Sequence, residues 1–397
     1  MGKPSKTAPH ATNTSPKAAS NRLKIGLVLD DTLDTPDGVQ QYVLALGTWL
    51  SKEGHDVHYL VGQTLRTDVK NVNSLSRNVK VRFNGNRMSI PLPASKRRLK
   101  AFLKVENFDV IHVQMPYSPF LAGRLIRLLG PRTVLIGTFH VAPQSRLVHL
   151  ANHALGWINR RTAKRFDRII SVSTAAQDFV RSTLHVPSEV IPNAIDLAPF
   201  FDATPFPQYK DVKTIVFVGR LVERKGCQHL LRAAKALKNL PNAPKFQVIV
   251  CGRGPLEASL KQYVAANGLE DVVYFAGWIA EADKPRYVAS ADIAIYPSTG
   301  GESFGIVLLE GMAAARGMTL GGDNPGYRSL LIEHPEVLFD AHDDVQLAAT
   351  LAALLQDDKA RARAHEWQRK FAGKFDITVV GRELLDVYTS ALRARRS

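Results

Sequence analysis

The order of short apolar segments constrains the fold of this chain more than any other sequence feature. Leu23 to Leu29 and His55 to Val61 are apolar runs, and an amphipathic segment reaching about Ser51 lies between them. A strand, a helix and a second strand in this order form the β-α-β unit of a parallel sheet. The alternation continues with predicted strands at Val79 to Phe83, Val110 to Val113, Val134 to Thr138, Ile169 to Val172 and Glu189 to Ile191. The pattern predicts a doubly wound α/β domain that ends near Pro192.

The alternation is interrupted once and then restarts. The segment from Asn193 to Asp211 is rich in Pro and Phe and has no hydrophobic periodicity, so it is predicted to be a linker. Helices are predicted after it at Gln228 to Lys238 and Leu256 to Ala266, and a last helix from about Ile377. The predicted strands of this half are Thr214 to Val218, Gln247 to Cys251, Val272 to Phe275, Ile293 to Tyr296, Thr319 to Leu320 and Val337 to Phe339.

The length of the chain supports a division into two domains, because 397 residues exceed one ordinary core. We expect a disordered tail at 1–20, a first domain at 21–192, a linker at 193–213 and a second domain at 214–376. The helix at 377–397 is expected to pack back on the first domain. Ligands of open α/β sheets bind outside the carboxyl ends of the strands, so a cleft between the two domains is the expected site.

Composition narrows the class of protein. No apolar run reaches the roughly 18 residues of a membrane span, and the first 20 residues lack the apolar core of a signal peptide. A cytoplasmic location is expected. Cys227 and Cys251 are predicted to be reduced core residues, and no His or Cys cluster has metal-ligand spacing. The net charge of +16 favours an anionic partner, which can be a nucleic acid, an anionic membrane or a phosphorylated ligand.

The stretch from Ser298 to Ala315 is the strongest candidate for a binding site. It places Glu302 at the mouth of a predicted apolar helix that begins around Phe304, and Glu310 inside that helix. A carboxylate in an apolar helix is costly unless a partner pairs with it, whereas a helix N-terminus offers free amides to an anion. We interpret the stretch as a nucleotide-sugar site. The alternative is a structural strand–helix joint in which Glu310 forms an internal ion pair.

Three further segments lie at predicted carboxyl ends of strands. Gly219, Arg220 and Lys225 belong to GRLVERKG, a basic loop that suits a diphosphate or forms a solvated face. Gly252 belongs to CGRGPLE, which is a weak nucleotide signal and is more simply a tight turn. His140 ends the strand VLIGTFH and is either a structural histidine or a substrate contact.

A basic helix is the candidate for contact with a membrane. The segment from Ser95 to Lys104 can place Leu99, Phe102 and Leu103 on one face, and its cationic residues are Lys96, Arg97, Arg98 and Lys100. A second basic run extends from Trp157 to Arg168. Basic amphipathic segments of this kind suit an anionic bilayer, and the alternative is a soluble basic face. Nucleic acid is less favoured because no base-stacking platform accompanies the basic residues.

Taken together, these motifs resemble the retaining GT-B glycosyltransferases of the family 4 type, and most of all the bacterial phosphatidylinositol mannosyltransferases. The most specific element is TGGESFGIVLLE, in which seven residues separate Glu302 from Glu310. The segments DGVQQYV, TFH, IPNAID and VGRLVERKG follow the order found in the family. The resemblance implies the GT-B fold, two Rossmann-like domains that face each other across a cleft.

The resemblance also implies roles for individual residues. Arg220 and Lys225 would grip the donor diphosphate, Glu302 would contact the sugar, and His140 would lie beside the transferred sugar; these four are the expected catalytic residues. Glu310 would hold the ribose, which makes the internal ion pair the less favoured alternative. The remaining expected donor-binding residues are Gly38, Gly219, Gly252, Ser303, Phe304, Gly305 and Ile306, and Gln40 would serve the acceptor.

Two departures from the family pattern concern the acceptor side. Asp37-Gly38 stands where relatives usually have two glycines, and Val141, Ala142 and Pro143 replace polar and lysine residues after His140. The implied reaction moves a hexose, with mannose from GDP-mannose favoured over a UDP-sugar, to a lipid at the inner face of the cell membrane without an obligatory metal. The alternatives are transfer to a soluble sugar or polysaccharide precursor, and a basic binding protein that keeps an inactive scaffold.

Overall fold

A computed structural model describes residues 22–34, 38–83, 86–92, 94–114, 121–140 and 162–396, with the backbone alone for 80–83 and 86–91. The expected tail at 1–20 therefore lies outside the described residues.

The first domain is built on a parallel sheet. Its strands, in chain order, are β1 (Lys24–Leu29), β2 (Asp56–Val61), β3 (Val72–Ser74), β4 (Asn78–Phe83), β5 (Asn86–Pro91), β6 (Val110–Gln114), β7 (Val134–Phe139), β8 (Arg168–Ser171) and β9 (Glu189–Val190). Seven of them form the sheet in the order β3-β2-β1-β6-β7-β8-β9. The described helices of this domain are α1 (Gly38–Lys52), α2 (Lys96–Glu106), α3 (Leu121–Leu128) and α4 (Thr174–Leu184).

The predicted strand at Val79 to Phe83 exists but does not join this sheet. It pairs antiparallel with β5 in a separate two-stranded hairpin. In the sequence, Asn84-Gly85 separates the two strands, and this dipeptide is one that favours a hairpin. Strand β3 was not predicted, because three residues are too few to show a period.

The second domain repeats the architecture. Its strands are β10 (Lys213–Val218), β11 (Phe246–Cys251), β12 (Val273–Gly277), β13 (Ile293–Tyr296), β14 (Met318–Gly322) and β15 (Leu338–Phe339), in the sheet order β12-β11-β10-β13-β14-β15. The helices from the linker onward are α5 (Ala198–Phe201), α6 (Cys227–Lys238), α7 (Glu257–Ala266), α8 (Lys284–Ala289), α9 (Ile306–Ala314), α10 (Pro325–Leu330), α11 (Asp344–Gln356), α12 (Asp358–Gly373) and α13 (Ile377–Arg396). The prediction of two doubly wound α/β domains is confirmed.

The strand orders locate the expected crevices. In the second sheet, β10 pairs with β11 on one side and with β13 on the other, so the connections turn in opposite directions at this point. In the first sheet β1 lies in the same way between β2 and β6. Ligands of open α/β sheets bind at the carboxyl end of such a switch point. The loops after β10 and β13 therefore belong to the expected site.

The chain passes between the domains twice at one place. The backbone of Ile377 donates a hydrogen bond to the Ile195 carbonyl at 2.8 Å, and the Leu197 amide donates to the Asp376 carboxylate at 3.2 Å. Helix α13 then packs its buried residues against α1 in the core of the first domain. The linker and the start of α13 are thus joined side by side at the base of the cleft.

The two cysteines lie in the core of the second domain. Cys227 begins α6 and Cys251 ends β11, and both are free and buried, as predicted. Burial raises the pKa of the Cys251 thiol to about 12. No helix in the part of the chain that the structure describes is long and apolar enough to cross a membrane.

Candidate functional site

The mouth of helix α9 forms the centre of the site. Gly301 (φ +76°) and Gly305 (φ +112°) hold left-handed conformations that glycine adopts without strain, and the helix begins at Ile306, two residues after the predicted start. Gly305 is the N-cap and has no side chain to occupy the first amides of the helix. Phe304 packs inward against Phe375, with ring centroids 5.7 Å apart. The first turn of α9 therefore offers backbone N–H groups to an anion.

Glu302 lies at this mouth in a cluster of charged groups. Its Oε1 atom is 2.8 Å from the Lys225 ammonium and 3.2 Å from an Arg224 guanidinium nitrogen, and it accepts a hydrogen bond from the Ser298 hydroxyl at 2.9 Å. Burial disfavours the charge on Glu302, but Lys225 foremost, together with Arg224 and Ser298, outweighs it and lowers the pKa of this carboxyl. Glu302 is therefore ionised at neutral pH.

One glycine brings the two loops of this cluster together. Lys225 ends a short 3₁₀ turn, and Gly226 follows it with φ +73°. A Cβ at Gly226 would overlap the carbonyl oxygen of Pro297 in the loop after β13. The Thr299 amide donates to the Arg224 carbonyl at 2.9 Å, and the Ser298 hydroxyl oxygen lies 2.9 Å from the same carbonyl. The loop after β10 is thus docked on the loop after β13.

Arg220, Gly219 and Gly252 lie on the neighbouring part of the same edge. Arg220 follows Gly219 after β10, and its side chain is exposed. The Gly219 amide donates to the Cys251 carbonyl at 2.9 Å, and a Cβ at Gly252 (φ +147°) would overlap the Gly219 carbonyl. Close approach of the loops after β10 and β11 therefore requires glycine at position 252. A role of Gly252 in donor binding stays a prediction.

Glu310 forms the internal ion pair that sequence reasoning ranked as the less favoured alternative. Its Oε1 atom is 2.8 Å from the Lys284 ammonium at the start of α8, and the Glu281 carboxylate is 3.1 Å from the same ammonium. Burial disfavours the charge on Lys284, but Glu310 and Glu281 outweigh it and raise the pKa of Lys284. The sequence did not reveal this partner, because Lys284 lies outside every motif considered, and the ribose role of Glu310 stays a prediction. Burial of Glu310 thus needs no ligand to explain it.

A cavity of about 490 Å³ separates the two domains. Gln40, from α1, and Ile306 and Glu310, from α9, all line it. Gly38 is close to this region, since a Cβ built on it would lie 3.3 Å from Ile306 Cδ1. The Gln40 side chain donates to Asp31 at 3.3 Å. Four residues predicted from separate motifs therefore meet across the cleft.

His140 is buried and held by two amide side chains. Its Nδ1 atom is 3.0 Å from Asn193 Oδ1, and its Nε2 atom is 2.8 Å from Gln114 Oε1. Burial lowers the pKa of His140 to about 4, although the Asn193 hydrogen bond opposes the shift. Tyr42, which lines the cavity, packs edge-on against the imidazole with centroids 4.9 Å apart. His140 is thus neutral above its lowered pKa, so that one of its two ring nitrogens donates a hydrogen bond, and it lies one layer behind the cavity wall.

A second buried histidine adjoins this arrangement. His112 Nδ1 is 2.6 Å from the Tyr388 hydroxyl of α13, and His112 Nε2 is 2.6 Å from the Thr138 hydroxyl. Burial lowers the pKa of His112 to about 3, and His140 adds to the shift. His112 lies two residues before Gln114, and Thr138 lies two residues before His140. Since side chains alternate between the two faces along a strand, these four side chains share one face of the sheet.

The basic helix differs in one respect from its prediction. Lys96, Arg97, Arg98 and Lys100 are exposed on α2, as a membrane-binding face requires. Leu99 is buried, however, and Phe102 and Leu103 pack against the core of the first domain. The apolar face is therefore packed against the first domain, and a membrane role of the four cations stays a prediction. In the second run, Lys164 and Arg165 are exposed, while residues 157–161 lie outside the described residues.

Comparison with known proteins identifies the family. Residues 36–199 match the model described as Glycosyltransferase Family 4, and residues 202–371 match Glycosyl transferases group 1. The chain is 30% identical over 371 residues to a phosphatidyl-myo-inositol mannosyltransferase of Mycolicibacterium smegmatis. The aligned region covers 92% of this chain and 93% of the relative. The chain belongs to the family 4 glycosyltransferases. A Propionibacterium freudenreichii protein of the same name is 31% identical and covers 93% of this chain and 95% of its own.

Solved structures of glycosyltransferases share the fold. A glycosyltransferase of Rickettsia africae superposes with a TM-score of 0.72 at 18% identity, covering 94% of this chain and 99% of its own. A sucrose-phosphate synthase of Thermosynechococcus elongatus gives a TM-score of 0.70 at 19% identity, covering 94% and 100%. The GT-B architecture expected from the sequence is confirmed.

The structure adds residues to this glycosyltransferase site that sequence reasoning did not select. Arg224 contacts Glu302, Lys284 holds Glu310, and Gln114 and Asn193 hold His140. Arg224 and Asn193 carried a signal, since Arg224 belongs to the basic loop beside Lys225 and Asn193 belongs to IPNAID. Among the described residues, no group of three or more His, Cys, Asp or Glu side chains is placed to hold a metal ion.

Proposed function

We propose that this glycosyltransferase moves a hexose with retention of configuration, and that mannose from GDP-mannose is transferred to a membrane lipid of the phosphatidylinositol type. The observation that carries the proposal is the cluster of Glu302, Lys225 and Arg224 at the uncapped mouth of α9. Two cations, a helix N-terminus and a sugar-binding carboxylate at one place suit a sugar diphosphate. The names of the phosphatidyl-myo-inositol mannosyltransferases support mannose as the transferred sugar and a phosphatidylinositol acceptor.

The proposed chemistry follows from where charge develops. As the bond from the sugar to the diphosphate breaks, positive charge grows on the sugar ring and negative charge on the departing phosphate. Lys225, Arg220 and the amides of Ser303, Phe304 and Gly305 stabilise the phosphate, so the residues do not require a metal for this step. Glu302 binds sugar hydroxyls and Glu310 binds the ribose, while His140 lies behind Tyr42, which faces the cavity.

The acceptor side of the proposal rests on surface charge. The exposed cations of α2 form a basic face on the first domain, and anionic headgroups attract such a face by about 1 kcal/mol per cation. With the apolar side of α2 in the core, binding to the inner face of the cell membrane is electrostatic and peripheral. Asp37 and residues 141–143, where the sequence departs from relatives, lie outside the described residues.

The decisive experiment is a transfer assay with labelled donors. We expect the purified protein to move mannose from GDP-mannose to anionic lipid extract, to be slower with UDP-sugars, and to lose most activity on Lys225→Ala. The proposal is contradicted if no donor gives labelled lipid. Nuclear magnetic resonance of the product's anomeric carbon tests retention separately.

A soluble acceptor is the second candidate, and burial of the apolar face of α2 favours it. A D-inositol 3-phosphate glycosyltransferase of Salinispora tropica is also 34% identical over 194 residues, 46% of this chain and 39% of its own. Liposome flotation separates the candidates. The lipid proposal expects salt-sensitive binding to anionic vesicles that is lost when Lys96, Arg97, Arg98 and Lys100 are all changed to Glu. Transfer to a soluble inositol phosphate without flotation would support the second candidate.

A further inference from the structure

The interdomain cavity has a charge that does not suit a diphosphate. Its lining includes four carboxylates, from Asp34, Asp196, Glu281 and Glu310, but only two cations, from Arg66 and Lys284. Lys284 is already paired with Glu281 and Glu310, and Arg66 makes a two-point contact with Asp68. Among the described residues, the lining therefore has a formal excess of negative charge.

The cations proposed for the diphosphate lie outside this lining. Lys225 and Arg224 surround Glu302 at the mouth of α9, whereas Ile306, the first residue of α9, lines the cavity. The cavity thus begins where the expected phosphate position ends. A donor with its diphosphate at the helix mouth would therefore have the cavity next to it, with room for its uncharged nucleoside.

The wall of the cavity carries a large exposed aromatic side chain. Trp278 follows strand β12 directly, lines the cavity and is 65% exposed. Exposed aromatic groups in concave, mostly apolar pockets are typical of ligand contacts. An indole offers its flat face to another aromatic ring, and the nucleoside is the aromatic part of a nucleotide-sugar.

We propose that Trp278 is the stacking platform for the nucleobase of the donor and that this platform favours a purine over a pyrimidine. The proposal rests on the proposed donor site. A bicyclic purine covers more of an indole face than a single pyrimidine ring, so stacking stabilises GDP more than UDP. Loss of an aromatic stacking partner costs about 1–3 kcal/mol, which corresponds to about fivefold to 150-fold in affinity.

Calorimetric titration with three ligands tests the platform: GDP, UDP and ribose 5-diphosphate, which lacks a base. Trp278→Ala is expected to weaken GDP binding about tenfold or more, to weaken UDP binding less, and to leave ribose 5-diphosphate unchanged. Trp278→Phe is expected to recover part of the GDP affinity. Tyr274→Ala is the matched control, because Tyr274 is a 56% exposed aromatic on β12 that does not line the cavity.

The outcomes separate this inference from the proposed function. Unchanged GDP affinity in Trp278→Ala, or an equal loss for GDP and ribose 5-diphosphate, overturns the platform and leaves the donor site standing. A greater loss for UDP than for GDP overturns the purine preference. Failure of the unmodified protein to bind any of the three ligands contradicts the donor site itself and the platform with it.

Discussion

At the scale of single residues, Glu310 carries both an observed structural role and a proposed binding role. Its ion pair with Lys284, at 2.8 Å, accounts for a carboxylate that is only 4% exposed. The same residue lines the cavity in which we place the nucleoside. The two roles are compatible, because a carboxylate accepts several hydrogen bonds, and they predict different responses to substitution.

Glu310→Ala is expected to lower both stability and nucleotide affinity. Removing one partner of a buried pair leaves Lys284 with Glu281 alone, which we expect to cost about 3 kcal/mol of the free energy of unfolding. The double variant Glu310→Met, Lys284→Met removes both charges and is expected to recover most of the stability but not the GDP affinity. Denaturant unfolding and calorimetry measure the two quantities. Full GDP affinity in the double variant would remove Glu310 from the ribose.

At the scale of secondary-structure elements, buried strands are where sequence and structure agree best. Strand β13 has the predicted bounds, Ile293 to Tyr296. A short unbroken apolar run is typical of a strand that is buried on both faces of a parallel sheet. Helix α9 was placed two residues early, because the left-handed Gly305 ends the loop and no local pattern distinguishes Phe304 from Ile306. The ion pair between Lys284 and Glu310 joins helices α8 and α9. The order of these helices in the chain does not show how close the two side chains lie in the fold. Contacts of this kind require the fold.

The ends of β6 and β7 predict a pH dependence of stability. Folded His140 has a pKa of about 4 against an ordinary 6.5, so between these values the unfolded chain binds a proton that the folded protein does not. The free energy of unfolding is therefore expected to fall as the pH is lowered through this range, by up to about 3 kcal/mol from this group. Its contribution is fully present above pH 6.5.

Denaturant unfolding at a series of pH values checks this expectation. His140→Gln removes the titrating group, so its stability is expected to change less between pH 7 and pH 4 than that of the unmodified protein. His185→Gln is the control, because His185 is exposed and contacts the Arg181 carbonyl of its own helix. If the free energy of unfolding changes equally with pH in the His140→Gln variant and in the unmodified protein, His140 binds its proton equally well in the folded and the unfolded state.

At the scale of the whole molecule, the approach of the two domains depends on a glycine in one and an isoleucine in the other. The chain crosses between the domains at Ile195 and Ile377, and Gly38 lies against Ile306 on the other side of the cavity. A Cβ at Gly38 would lie 3.3 Å from Ile306 Cδ1, which is closer than ordinary contact between carbon atoms. Position 38 therefore limits how closely the domains can approach.

Gly38→Val is expected to hold the cleft open and thereby weaken donor binding and transfer. The added methyl groups meet the end of the Ile306 side chain, so either this side chain or the domains must shift before valine fits, and a shift of the domains removes donor contacts from one wall. Ile306→Ala makes room for the valine and is expected to restore a large part of the activity in the double variant, although alone it has a small effect. Small-angle X-ray scattering should show a larger radius of gyration for Gly38→Val and a normal one for the double variant. If the two substitutions are instead additive in both measurements, the glycine acts through its backbone and not through the space that it leaves for Ile306.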